Sequence, residues 1–273
     1  MRHSRRAFLA RALCAALVPG LAACASSEPA ADGAPLEPAA ILTYPYAIPA
    51  GVNFPDYQQV AERNAGVYVR LRIFTDEKGV SMTRPSEAGS NVLSFASGTI
   101  VDPRGYVVTA AHIGLSTKFK AHVITMDGRR FLGQVVAVER QKELALIKFT
   151  PFADMAVAQF ADSNALRPGA VALAIGTPAH KPGVVSVGKV MEPHLDQRMA
   201  YNDFAYESPI ELAMEVDPGL SGGPVLDREG RFIGMIVGYA LGASGSKAPP
   251  RPLIGLAIPS NDIRAFLDAH ATE

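Results

Sequence analysis

The stretch Asp217-Pro218-Gly219-Leu220-Ser221-Gly222-Gly223-Pro224 decides how the rest of this 273-residue chain is read. It sets one serine in a run of glycines with a proline on either side. Such a run is neither helix nor ordinary strand, because Gly supplies backbone angles closed to other residues and Pro removes amide donors; the segment is a tight, strained turn. A serine there has its hydroxyl pushed outward. The flanking glycines carry no side chains, so the amides of Gly219 and Ser221 can converge on one point, where they would stabilise the oxyanion of an acyl-transfer intermediate. The plainer alternative is a structural Gly/Pro turn with an incidental serine.

A serine hydroxyl is a poor nucleophile without a base, normally a histidine held by a third group. Of the six histidines, His112 ends the apolar run Gly105-Tyr106-Val107-Val108-Thr109-Ala110-Ala111-His112, whose small residues leave room around the ring. Glu143 enters a second apolar run, Glu143-Leu144-Ala145-Leu146-Ile147, 31 positions later. The chain order is therefore His, acid, Ser. His122, His180, His194 and His270 show no metal-ligand spacing and are assigned no chemistry; no metal and no cofactor is expected. Asp127, a conceivable substitute for Glu143, is better explained with Gly128 as a hairpin turn.

Ser97-Gly98-Thr99-Ile100-Val101, Thr109-Ala110-Ala111-His112, Leu144-Ala145-Leu146 and Pro218-Gly219-Leu220-Ser221-Gly222-Gly223-Pro224, in that order, resemble the trypsin-like serine peptidases of the bacterial HtrA (Deg) branch. Ala174-Ile175-Gly176-Thr177-Pro178 and Gly255-Leu256-Ala257-Ile258-Pro259 extend the likeness, which runs from about Phe54 to Phe266. The resemblance implies a His112, Glu143, Ser221 triad, an oxyanion hole from the Gly219 and Ser221 amides, and a polypeptide substrate. It departs from the family at two places. Relatives carry aspartate where Glu143 stands, and a polar residue where Leu220 precedes the nucleophile; leucine excludes activation through a salt bridge to a new N-terminus. The family places the floor of its primary specificity pocket at Glu215. A buried carboxylate there would favour Lys or Arg, and one facing solvent would leave a small apolar pocket. No PDZ module is expected after the final helix.

The N-terminus reads as an export signal over residues 1–23, with a twin arginine at Arg5-Arg6 and an Ala/Leu run too short to span a bilayer. Leu21-Ala22-Ala23-Cys24 resembles a lipoprotein cleavage site, so Cys24 is expected to carry a lipid anchor on the outer rather than the inner membrane, facing the periplasm. Removing residues 1–23 takes four arginines and no acid, leaving 22 basic against 26 acidic side chains. Without a cationic cluster, no nucleic-acid partner is expected. With Cys14 in the signal and Cys24 as anchor, the domain has no disulfide.

Residues 24–53, rich in Ala, Pro, Ser and Glu, are expected to form a flexible tether. From residue 54 to 271 the pattern is of short β-branched runs between turns, preceded by a short helix at Pro55–Arg63. Twelve candidate strands, six over about 66–150 and six over about 165–259, predict an all-β protein of two six-stranded antiparallel barrels. A final helix follows over 260–270, with Ser260 as its cap and Ile263, Phe266 and Leu267 on one face. The polar interval Thr75 to Val92 is expected to be a mobile surface loop.

Three functions compete at this stage: a lipid-anchored serine endopeptidase, a degenerate relative that binds peptides or proteins, and an α/β-hydrolase esterase. The esterase is disfavoured because the fold that carries Gly-x-Ser-x-Gly needs a helix after the serine, whereas Pro224 and a strand follow. Oligomeric state is not legible.

Overall fold

A computed structural model describes residues 42–75, 92–113, 115–240 and 254–272. The export signal, Cys24, most of the tether and the expected loop before Val92 lie outside the described residues. Helix α1 (Phe54–Asn64) opens with Pro in its first turn and turns Val60 and Ala61 inward. Six strands follow: β1 (Tyr68–Thr75), β2 (Val92–Asp102), β3 (Tyr106–Ala110), β4 (Phe119–Thr125), β5 (Arg130–Glu139) and β6 (Leu144–Phe149). They close into an antiparallel barrel in the order β1-β2-β3-β6-β5-β4. Alternation decides its interior: Val69, Leu71 and Ile73 of β1 join Ile100, Val107 and Ile147 in one core, while the intervening Arg70 and Arg72 face away.

The connection from Pro151 to Asp162 is fastened to both halves of the molecule. Ala158 donates its amide to the Ile100 carbonyl, and Ala161 to that of Phe232. Strands β7 (Val171–Gly176) and β8 (Val184–Glu192) begin barrel two. A separate two-stranded hairpin, β9 (Arg198–Tyr201) and β10 (Phe204–Glu207), comes next. Then β11 (Ile210–Ala213), β12 (Pro224–Leu226), β13 (Phe232–Ala240) and β14 (Ile254–Pro259) complete a barrel ordered β11-β14-β13-β12-β7-β8. Its own interior holds Ala174, Ile210, Leu212, Val225 and Ile233. Helix α2 (Ser260–His270) buries Ile263, Phe266 and Leu267 against a third cluster, drawn from both barrels.

Two barrels, twelve barrel strands and both helices match the expectation from sequence. Three details differ. The β9–β10 hairpin falls in an interval to which the sequence assigns no element. Ser260 is the first helical residue rather than the cap; its hydroxyl donates to the Ala161 carbonyl at 2.8 Å. The end of the stretch read as a tether also packs on barrel two. There Thr43 bridges Val184, Lys189 donates to the Ala50 carbonyl at 3.1 Å, and Tyr44 meets Phe54 edge-on at 4.8 Å.

Candidate active site

Strands β3 and β6 lie side by side with Ala110 opposite Leu144, so the residues just past one and just before the other must meet. After β3 a single 3-10 turn, Ala111–Ile113, carries His112. Before β6 another, Arg140–Lys142, ends on Glu143 in the left-handed region, φ 56° and ψ 29°. The Ala111 amide donates to the Glu143 carbonyl at 3.2 Å. The Glu143 side chain doubles back, and its Oε1 accepts from the His112 amide at 3.2 Å while also contacting the imidazole Nδ1. With Nδ1 donating to this oxygen, Nε2 is left for the cleft. Glu143 is only 2% exposed. A carboxylate so buried is costly unless paired, and His112 is its partner. A non-glycine residue in left-handed backbone costs about 1–2 kcal/mol, a strain typical of functional sites.

Barrel two supplies the nucleophile turn through its main chain. The Leu220 amide donates to Asp217 at 3.1 Å, Gly223 to Leu220 at 2.8 Å and Gly222 to Ile236 at 2.8 Å. Gly219 and Gly222 sit at φ 104° and 88°, where a side chain is disfavoured. A Cβ on Gly222 would also stand 2.0 Å from the Ser97 carbonyl oxygen. Ser97, fully buried on β2, is the clamp from barrel one. Its amide donates to the Ser221 carbonyl at 3.1 Å. Its hydroxyl donates to the Gly219 carbonyl at 2.7 Å and accepts from the Thr177 amide at 3.0 Å. Among the described residues, the amides of Gly219 and Ser221 donate to no protein oxygen. Leu220 is fully buried in the barrel-two core, so an apolar plug holds the turn.

His112, Glu143, Gly219 and Ser221 line one cleft of about 540 Å³ between the barrels. Glu215 is not among its lining residues. Its neighbours Met214 and Val216 are both buried in the barrel core, and Glu215 itself is half-buried. Its backbone carbonyl accepts from Ser186 at 2.6 Å. The wall near Ser221 is apolar instead: Val216, Val237, Leu256, Met199 and Ala200, with Gly238 leaving space. Met199, Ala200 and Phe204 come from the β9–β10 hairpin, which sequence reasoning left unassigned; the signal for it was Asn202-Asp203, a two-residue turn with Asn202 at φ 51°. Tyr46 was missed as well. Its hydroxyl donates to Asp217 Oδ2 at 2.7 Å across 171 positions, and burial first, then this bond, pushes the Tyr46 phenol up. Among the described residues no group of three or more His, Cys, Asp or Glu side chains could hold a metal ion.

Residues 96–235 match the trypsin-like peptidase domain. The chain belongs to the trypsin-like peptidases. Its curated relatives within that family are HtrA and DegP proteases. A putative protease Do-like 14 of Arabidopsis thaliana is 27% identical over 76% of this chain and 46% of its own length. A probable periplasmic serine endoprotease, DegP-like, of Chlamydia pneumoniae is 33% identical over 63% of this chain and 33% of its own. The chain thus spans a third to a half of these relatives. An HtrA-type protease solved with a tripeptide superposes with a TM-score of 0.59 at 24% identity, over 78% of this chain and 62% of that one. The fold of this trypsin-like peptidase is therefore that of the HtrA proteases.

Proposed function

We propose that this protein is a serine endopeptidase that cleaves exported polypeptides through His112, Glu143 and Ser221. The observation that carries the reading is the buried Glu143 carboxylate set against the His112 imidazole in the same cleft as Ser221. In the reaction, His112 Nε2 takes the Ser221 hydroxyl proton as Oγ attacks the peptide carbonyl carbon. The Glu143 carboxylate stabilises the imidazolium that forms. The resulting oxyanion is held by the Gly219 and Ser221 amides, removal of one such donor typically costing about a hundredfold or more in turnover. Collapse of the intermediate breaks the C–N bond, and His112 returns the proton to the leaving amine. Water then repeats the sequence on the acyl-enzyme and releases the acid.

Substrate choice follows from the wall of the cleft. Val216, Val237 and Leu256 favour an apolar residue before the scissile bond, in line with Glu215 lying outside the lining. The relatives described as periplasmic support a place in the cell envelope, and Cys24 is the proposed lipid anchor there. The contact of Glu143 with His112 counts against the binding-module alternative, and the paired barrels are not an α/β-hydrolase.

The test is digestion of an unfolded protein by the full chain, with sequencing of the new termini. Cleavage after Val, Leu, Ala or Met, lost in Ser221→Ala, is the expected result. Cleavage after Lys or Arg would return Glu215 to the pocket, and no cleavage at all would overturn the assignment.

A further inference from the structure

Glu143 closes the short turn Arg140–Lys142, and Glu139, Arg140 and Gln141 are each gripped from outside barrel one. The Arg140 guanidinium lies 4.9 Å from the centre of the Phe204 ring. Gln141 Nε2 donates to the Asp203 carbonyl at 3.1 Å, and Gln141 Oε1 accepts from Arg198 at 2.8 Å. All three partners belong to the β9–β10 hairpin. Glu139 is bound by Lys142 at 2.7 Å and by His270 of α2 at 2.7 Å. The same helix holds the hairpin, because the Tyr206 hydroxyl donates to Asp262. Hairpin, turn and α2 thus make a closed triangle, with Glu143 at the end of one side.

The hairpin also faces the cleft, through Met199, Ala200 and Phe204. Phe204 therefore has the Arg140 cation over its ring and also lines the cavity. A substrate residue pressing on Phe204 bears on the segment that sets the carboxylate. We infer that the β9–β10 hairpin braces the Arg140–Lys142 turn, so that Arg140 and Gln141 are positioning residues that hold Glu143 against His112 and tie its placement to occupancy of the cleft. This rests on the catalytic reading of His112, Glu143 and Ser221. The coupling travels through named contacts on exposed side chains, so the substitutions that break it leave both barrel cores intact.

The experiment uses the full chain with Arg140→Ala/Gln141→Ala and, separately, Arg140→Lys, which keeps a cation over Phe204. A small displacement of a triad member can cost about a hundredfold. The double variant is expected to lose roughly ten- to a hundredfold in kcat with KM within about twofold. Its thermal midpoint should stay within about 2 °C of the parent, and Arg140→Lys should recover most of the rate. A second readout needs no turnover: the low-field proton resonance of the His112 imidazole bonded to Glu143 should broaden or vanish in the double variant. Parent-like kcat with an unchanged resonance overturns the brace, as does a rise in KM alone, which would make the hairpin merely a binding wall. If the parent itself cleaves nothing, the catalytic reading fails, and the resonance still decides whether the brace sets Glu143.

Discussion

In barrel one His112 is held by a single carboxylate, whereas in barrel two Ser221 is held by main-chain hydrogen bonds and two left-handed glycines. The first half is a side-chain device. Its geometry depends on one buried pair, and a change there should spare the fold while slowing the chemistry. The second half is a shape of the backbone, clamped by Ser97 from the opposite barrel, so that disturbing it disturbs the junction between barrels too. On the proposed mechanism one half would tune the base, and the other would tie catalysis to folding.

Gly222→Ala presses hardest on this contrast. The new Cβ would lie 2.0 Å from the Ser97 carbonyl and 2.4 Å from the Thr109 hydroxyl, at φ 88°. Strain and overpacking together should cost about 3 kcal/mol or more, read as a lower denaturant midpoint, with peptide hydrolysis abolished. Parent-like stability and activity would show that the turn is not fixed by its backbone. Glu143→Gln comes next. Turnover should fall by as much as about 10⁴-fold with KM little changed, while the unfolding midpoint moves far less than in Gly222→Ala. Equal losses of stability in the two variants would erase the distinction between the halves.

The smallest expected effect is on acid stability. A hydrogen bond from Lys142 first, then one from His270, holds the Glu139 carboxyl below its ordinary value of 4.5. A depressed carboxyl contributes stability that is present above its unfolded value and lost as pH falls through its folded one. For a group this exposed the contribution is about 1 kcal/mol or less. His270→Ala should therefore lower stability slightly at pH 5 to 7, by about 1 kcal/mol or less, and converge with the parent as pH falls below about 4.5 and the carboxyl is protonated in both. An unfolding series across pH 3 to 7 checks this.

Much of this architecture was legible in the residues. Short β-branched and apolar runs such as Val69 to Ile73, cut by turns at Asp102–Gly105 and Asp127–Gly128 in barrel one and at Asp227–Gly230 in barrel two, mark both barrels. The Gly219–Gly223 turn marks the proposed nucleophile. What escaped reading depends on contacts distant in sequence. The strands of the β9–β10 hairpin are only four residues each and carry charged ends at Arg198 and Glu207, so their pairing shows only in the Asn202-Asp203 turn. Tyr46 lies in a Pro-rich stretch with no periodicity, and only its bond to Asp217 gives it a place. Glu143 was readable as a candidate acid, but its left-handed backbone and its return to the His112 amide belong to the register of β3 against β6. For Glu215 spacing left both orientations open, because it counts positions and not the side to which a residue turns.

The central claim is that Ser221 is an activated nucleophile. Reaction of the full chain with a fluorophosphonate probe, followed by mass mapping of the adduct, tests it most directly. The account predicts a single adduct on Ser221, absent in Ser221→Ala and formed much more slowly in Glu143→Gln. Failure of Ser221 to label, or labelling that persists in Ser221→Ala, would contradict it.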